Sequence, residues 1–107
     1  MTQLDVTVRR EDAYDLLLVS GPVNSYTFTE FQEKVFKSVA AANVIIDMEK
    51  VTTLSSAGIG VLMAALDDAG AAGRKLALLR PSEIVKLALD STGFSERFPV
   101  IQNIKEF

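Results

Sequence analysis

The stretch TTLSSAGIGVLM, residues 52–63, sets Ser55 and Ser56 beside Gly58 and Gly60 at the head of an apolar run. Hydroxyls in that setting have three uses: capping a helix, attacking a substrate, or carrying a charge that is added and removed to control binding. The nucleophile fares worst. The 107-residue chain has no histidine to take a serine proton, no cysteine and no Gly-x-Ser-x-Gly elbow. A Ser–Lys pair would need Lys50 or Lys75 buried beside a serine, and nothing in the pattern argues for that. SSAGIG also lacks the Gly-Lys-Ser/Thr ending of a phosphate-binding loop. With neither imidazole nor thiolate on offer to a metal, no catalytic residue, cofactor or metal ion is expected. For the cap, Ser55 or Ser56 could accept a bond from a first-turn amide that no helical carbonyl reaches. A capping box would need Glu or Gln three positions on, where Gly58 and Ile59 stand. Local physics leaves the choice between the two serines open.

The helix that these serines open should run to about Gly70 or Gly73. At about 100° per residue, Ile59, Leu62, Met63 and Leu66 share one side and form the stripe that faces a core. The other side is expected to carry Ala57, Gly60, Val61, Ala64 and Asp68, where a solvated helix normally shows lysine and glutamate. Gly60 costs about 1 kcal/mol against alanine in a helix interior. A smooth, low-entropy face approached closely by another protein accounts for these residues; so does a helix covered by its own chain, and the pattern weighs the two about equally.

The other elements must hold that helix. LDVTVRR alternates and YDLLLVSG is an apolar β-rich run ending at Gly21-Pro22, so the two predict a hairpin turned near Glu11-Asp12. From Ser25 the period changes: Phe28, Phe31, Val35 and Val39 fall at helical spacing, with Ser25 or Thr27 as cap. NVIIDM predicts a strand buried on both faces in a sheet covered by helices. KLALL predicts another, ending at Arg80-Pro81. Ser82 can cap a third helix, EIVKLALDS, that Gly93 stops, and FPVIQ adds an edge strand where Pro99 is tolerable. The order β-β-α-β-α-β-α predicts an α/β fold: one small domain over residues 1–107, with a mixed sheet of four to five strands, a largely parallel centre and packed helices.

Composition excludes several partner classes. Fourteen acidic against eleven basic residues give a net charge of −3, with no basic cluster to neutralise a run of phosphates. Neither nucleic acid nor an anionic membrane is an expected partner. The apolar runs fall far short of the roughly 20 residues of a spanning helix, and MTQLDVTVRRED is unlike a signal peptide, so a cytoplasmic location is expected.

VIIDMEKVTTLSSAGIGVLMAAL resembles the central segment of the STAS family, the domain of sulfate transporters and anti-sigma-factor antagonists: a buried strand ending in Asp, a short loop, then Asp/Ser-Ser-x-Gly-x-Gly opening a helix. VSGPVNSYTFTEFQEKV is similar to that family's second strand, Gly-x-Leu-Asp turn and first helix, and LALDSTGFSERFPVIQNIKEF to its closing segment. A free-standing domain of this length is similar to the bacterial antagonists. The resemblance implies a protein that binds a serine-kinase anti-sigma factor, releases a sigma factor, and is switched off by phosphorylation, with a serine phosphatase as a further partner. The family spacing, counted back from Gly58, puts the phosphorylation on Ser56, with Ser55 as second choice. The implied partner surface is Asn24, Ser55, Ser56, Ala57, Gly58, Gly60, Val61 and Ala64. Ser55 stands where the best-known antagonists have Asp, and Asn24 replaces the Asp of the turn; both departures remove negative charge. Two rival expectations are a constitutive adaptor in a signalling or transporter assembly, and a small-ligand domain using Asp47, Asn24 and the serines at the strand ends.

Overall fold

The structure, a computed structural model, describes residues 3–93 and 95–107; Phe94 of the closing motif lies outside them. The predicted hairpin forms from β1 (Asp5–Arg10) and β2 (Asp15–Val23), paired antiparallel from Asp5↔Ser20 to Arg10↔Asp15. β2 does not stop at Gly21-Pro22 as expected but runs on to Val23. Two features carry it through. Gly21 adopts φ 98°, and the pairing with the next strand shifts register on both sides of Ser20–Gly21. Pairing with β1 has ended at Ser20, so the missing amide of Pro22 falls where β2 has a neighbour on one side only.

β3 (Val44–Leu54) lies parallel to β2, β4 (Leu76–Leu79) parallel to β3, and β5 (Val100–Ile101) parallel to β4, giving the sheet order β1-β2-β3-β4-β5. Three helices make the crossovers that parallel neighbours require: α1 (Phe28–Val39), α2 (Ser56–Ala71) and α3 (Glu83–Thr92). This is the expected α/β fold with a mixed sheet and a parallel centre. β3 is longer than NVIIDM, and Thr52 and Thr53, expected in a loop, belong to the strand. Ser82 caps α3 by accepting from Val85 N at 3.4 Å while its hydroxyl donates to Val51 O at 2.8 Å, and Gly93 ends the helix at φ 76°.

The sheet centre is buried on both faces, but among the described residues helices cover only one of them. Phe31, Val35, Ile59, Leu62, Val85 and Leu89 from the three helices form one core with Leu17, Val19, Ile46, Met48 and Leu78. The alternate residues Leu16, Ile45, Ala77, Leu79 and Ile101 form a second, smaller cluster that contains no helix residue and is closed by Tyr14, Leu18 and Phe107. The Tyr14 and Phe107 rings meet edge to face with centroids 5.9 Å apart. Among the described residues no helix is long and apolar enough to cross a membrane.

Candidate functional site

The ends of β2 and β3 set the position of α2. Ser55 N donates to Val23 O at 2.9 Å, tying the two strand ends together one residue before the helix starts. Ser55 has extended backbone (φ −79°, ψ 170°), and its hydroxyl accepts from Gly58 N at 3.2 Å. It is therefore the N-cap, and the ambiguity between the serines resolves. Ser56 is the first helical residue; its side chain is exposed, and among the described residues its hydroxyl makes no hydrogen bond. Gly58 explains how closely the helix sits on the strands. A Cβ there would lie 2.7 Å from both Leu54 Cδ1 and Val23 Cγ1, closer than packed carbons approach.

A second hydrogen-bonded turn stands at the same end of the sheet. Asn24 Oδ1 accepts from Tyr26 N at 2.8 Å and from Thr27 N at 3.1 Å, and Asn24 O accepts from Phe28 N at 2.9 Å. Thr27 Oγ1 donates to Pro22 O at 2.8 Å and accepts from Asn24 N at 2.9 Å. Thr27 occupies the N-cap position of α1, as one of the two residues expected there, yet its side chain bonds backward into the turn instead of forward to the helix. The side chain that organises this entry is that of Asn24. Asn24 and Ser55 are the two positions at which the resemblance implies an aspartate. Both still supply the acceptor oxygen that an aspartate would, so the local geometry survives without the charge.

The outer side of α2 differs from the expectation in one respect. Ser56, Gly60 and Ala64, four residues apart, form an exposed row, with Asp67 and Asp68 exposed beyond it. Ala57 is half-buried. Val61, expected on the open side, is 5% exposed and belongs to the main core, as does the buried Ile59; Gly58 is buried too. The reason is tertiary: α1 packs against α2, so the helix is enclosed over a wider arc than its one apolar stripe. Part of that side is covered by the protein itself, and the open part is the Ser56–Gly60–Ala64 row. No acidic residue lies in the first turn of α2.

Asp47 is not brought to this end. It sits within β3, next to the second cluster's Ile45 in the alternation, and its carboxylate faces Arg80 at 3.6 Å and accepts from Glu49 N at 3.1 Å. The strand-end cleft imagined for a small ligand therefore loses its carboxylate. One residue escaped the sequence reading: Tyr26, on the Asn24 turn, is 92% exposed. Its only signal was an aromatic between two turn-forming hydroxyl residues, outside the helical period that starts at Phe28.

The STAS domain family model matches residues 6–107. The chain belongs to the STAS family. Solved structures with the same fold include an anti-sigma factor antagonist from Mycobacterium paratuberculosis, 20% identical, covering 97% of this chain and 90% of that one with a TM-score of 0.85. The anti-sigma factor antagonist SpoIIAA in its unphosphorylated form is 15% identical, with coverage of 95% and 91% and a TM-score of 0.78. The Bacillus cell fate determinant SpoIIAA in its phosphorylated form is 16% identical, with coverage of 99% and 95% and a TM-score of 0.69. What these share with the present STAS domain, at such identities, is the fold.

Proposed function

We propose that this protein is an anti-sigma-factor antagonist: a cytoplasmic binding module, not an enzyme, whose unphosphorylated form binds a serine-kinase anti-sigma factor and frees a sigma factor. Phosphorylation of Ser56 ends the binding, and a serine phosphatase restores it. One observation carries the reading beyond the family: Ser55 is occupied as the cap, while Ser56 stands beside it with a free, exposed hydroxyl on the same side as Gly60 and Ala64. Modifying Ser56 leaves the cap intact.

The energetics of the switch follow from that placement. Neutral Ser56 and the Gly60 and Ala64 surface carry little that must be desolvated when a partner covers them. The kinase transfers the γ-phosphoryl group of ATP to Ser56 Oγ, the hydroxyl proton departs and ADP leaves; the helix end then carries nearly two negative charges. At the first position of α2 that charge meets the positive end of the helix dipole and no first-turn carboxylate, a gain of about 0.3–1 kcal/mol, so the fold persists. In the complex the dianion must be dehydrated or face the partner's carboxylates. Each ~1.4 kcal/mol of that penalty weakens binding tenfold. The test is phosphorylation by the serine-kinase anti-sigma factor of the source cell with ATP, followed by peptide mapping. One phosphate on Ser56, absent from Ser56→Ala, is expected. Transfer to Ser55 or to neither serine would overturn the assignment.

A further inference from the structure

We infer that Tyr26 is the aromatic anchor of the partner interface, entering a pocket on the anti-sigma factor that has apolar walls and a hydrogen-bonding group at its base. The inference rests on the function proposed above and adds to it the residue that supplies affinity, as distinct from the serine that switches it.

Three features of the molecule support this. Tyr26 is 92% exposed, the highest value among the exposed large hydrophobics of the described residues, so its ring stabilises nothing in the protein's own core. Its backbone is nonetheless tightly held. Tyr26 N and Thr27 N both donate to Asn24 Oδ1, and Thr27 Oγ1 bridges Pro22 O and Asn24 N. The same bonds set the entry to α1, and they leave a partner only two side-chain torsions of Tyr26 to fix. Third, the turn is fastened to the switch. Val23, three residues before Tyr26, accepts through its carbonyl from the N–H of Ser55, the residue before Ser56, at 2.9 Å, so the Tyr26 turn and α2 leave bonded strand ends. The Ser56–Gly60–Ala64 row has almost no side-chain volume. It permits close approach but supplies few contacts of its own, and a tyrosine that buries about 150–250 Å² supplies what the row lacks. The phenol hydroxyl must find a polar group when buried, which defines the base of the pocket.

The experiment measures Kd for the serine-kinase anti-sigma factor with wild type, Tyr26→Ala, Tyr26→Phe and Ser56→Asp, with circular dichroism melts of each. Tyr26→Ala is expected to melt like wild type and to bind at least about 30-fold more weakly, which is about 2 kcal/mol at 1.4 kcal/mol per tenfold. Tyr26→Phe is expected to recover most of that loss, with a residual deficit of a few-fold from the hydroxyl. Binding by Tyr26→Ala within about threefold of wild type overturns the anchor. If Ser56→Asp abolishes binding in that same series, the proposed switch stands without it. If Tyr26→Ala loses binding while Ser56→Asp does not, the anchor stands and the switch falls. A wild type that binds no such kinase overturns both.

Discussion

Gly58 and Gly60 lie two residues apart in one helix, and adding a methyl group to each should have opposite effects. In an open helical position, Gly→Ala is worth about 0.5–1 kcal/mol in favour of the fold. Nothing lies within 4 Å of a Cβ at Gly60, so Gly60→Ala should collect that gain. At Gly58 the same methyl meets Leu54 Cδ1 and Val23 Cγ1, each at 2.7 Å. Leu54 can swing its terminal carbon aside, but Val23 is fully buried and β-branched, so it has few alternative rotamers. Overpacking of this kind costs about 1–3 kcal/mol, leaving a net loss of up to about 2.5 kcal/mol after the helical gain. The two variants should differ by that overpacking cost, roughly 1–3 kcal/mol, or about 4–20 °C in Tm for a domain of this size. Urea and thermal unfolding with an unchanged m-value would read this as native stability alone. A Gly58→Ala protein as stable as Gly60→Ala would refute the close seating of α2 on the ends of β2 and β3. Under the proposed function, Gly60→Ala should also weaken partner binding although it stabilises the fold, because its methyl stands in the exposed row.

Ser55→Ala should lose the cap and about 0.5–2 kcal/mol, whereas Ser56→Ala should stay within about 0.5 kcal/mol of wild type in urea unfolding; the reverse order would exchange the roles of the two serines. Val61→Ala should cost about 1–3 kcal/mol in the same assay, since the side chain lies in the core, and no loss would return Val61 to the open side of the helix. Asn24→Ala removes the acceptor of two backbone amides and should cost about 1–2 kcal/mol, while Asn24→Asp keeps an acceptor oxygen and should unfold close to wild type.

The strand and helix order was readable because the apolar periods change sharply: from period two in DVTVRR, to helical spacing from Phe28, to continuous burial in Val44, Ile45 and Ile46. Capping of α3 was readable too, since Ser82 and Gly93 act through their immediate neighbours. Three things were not. β2 runs through Gly21-Pro22 because β1 has stopped pairing there, which is a property of the sheet and not of the dipeptide. Val61 is buried because α1 packs against α2, and a helical wheel drawn for one helix contains no second helix. Ile45 is buried without any helix above it, since Tyr14 and Phe107 come together from distant parts of the chain. At the site, Ser56 came only from the family resemblance, and assigning the cap to Ser55 needed the backbone angles at the strand-to-helix junction. Tyr26 carried no periodic signal, because an exposed turn residue obeys no period.

The proposed function requires that a negative charge at Ser56 end partner binding while leaving the fold intact. Its most direct test is a pull-down from lysate of the source cell with tagged wild type and Ser56→Asp, retained proteins being identified by mass spectrometry and both baits matched in Tm. Wild type is expected to retain a serine-kinase anti-sigma factor and the aspartate form to lose it. If both forms retain the same partners, the switch is contradicted at this serine, and the domain acts as a constitutive adaptor.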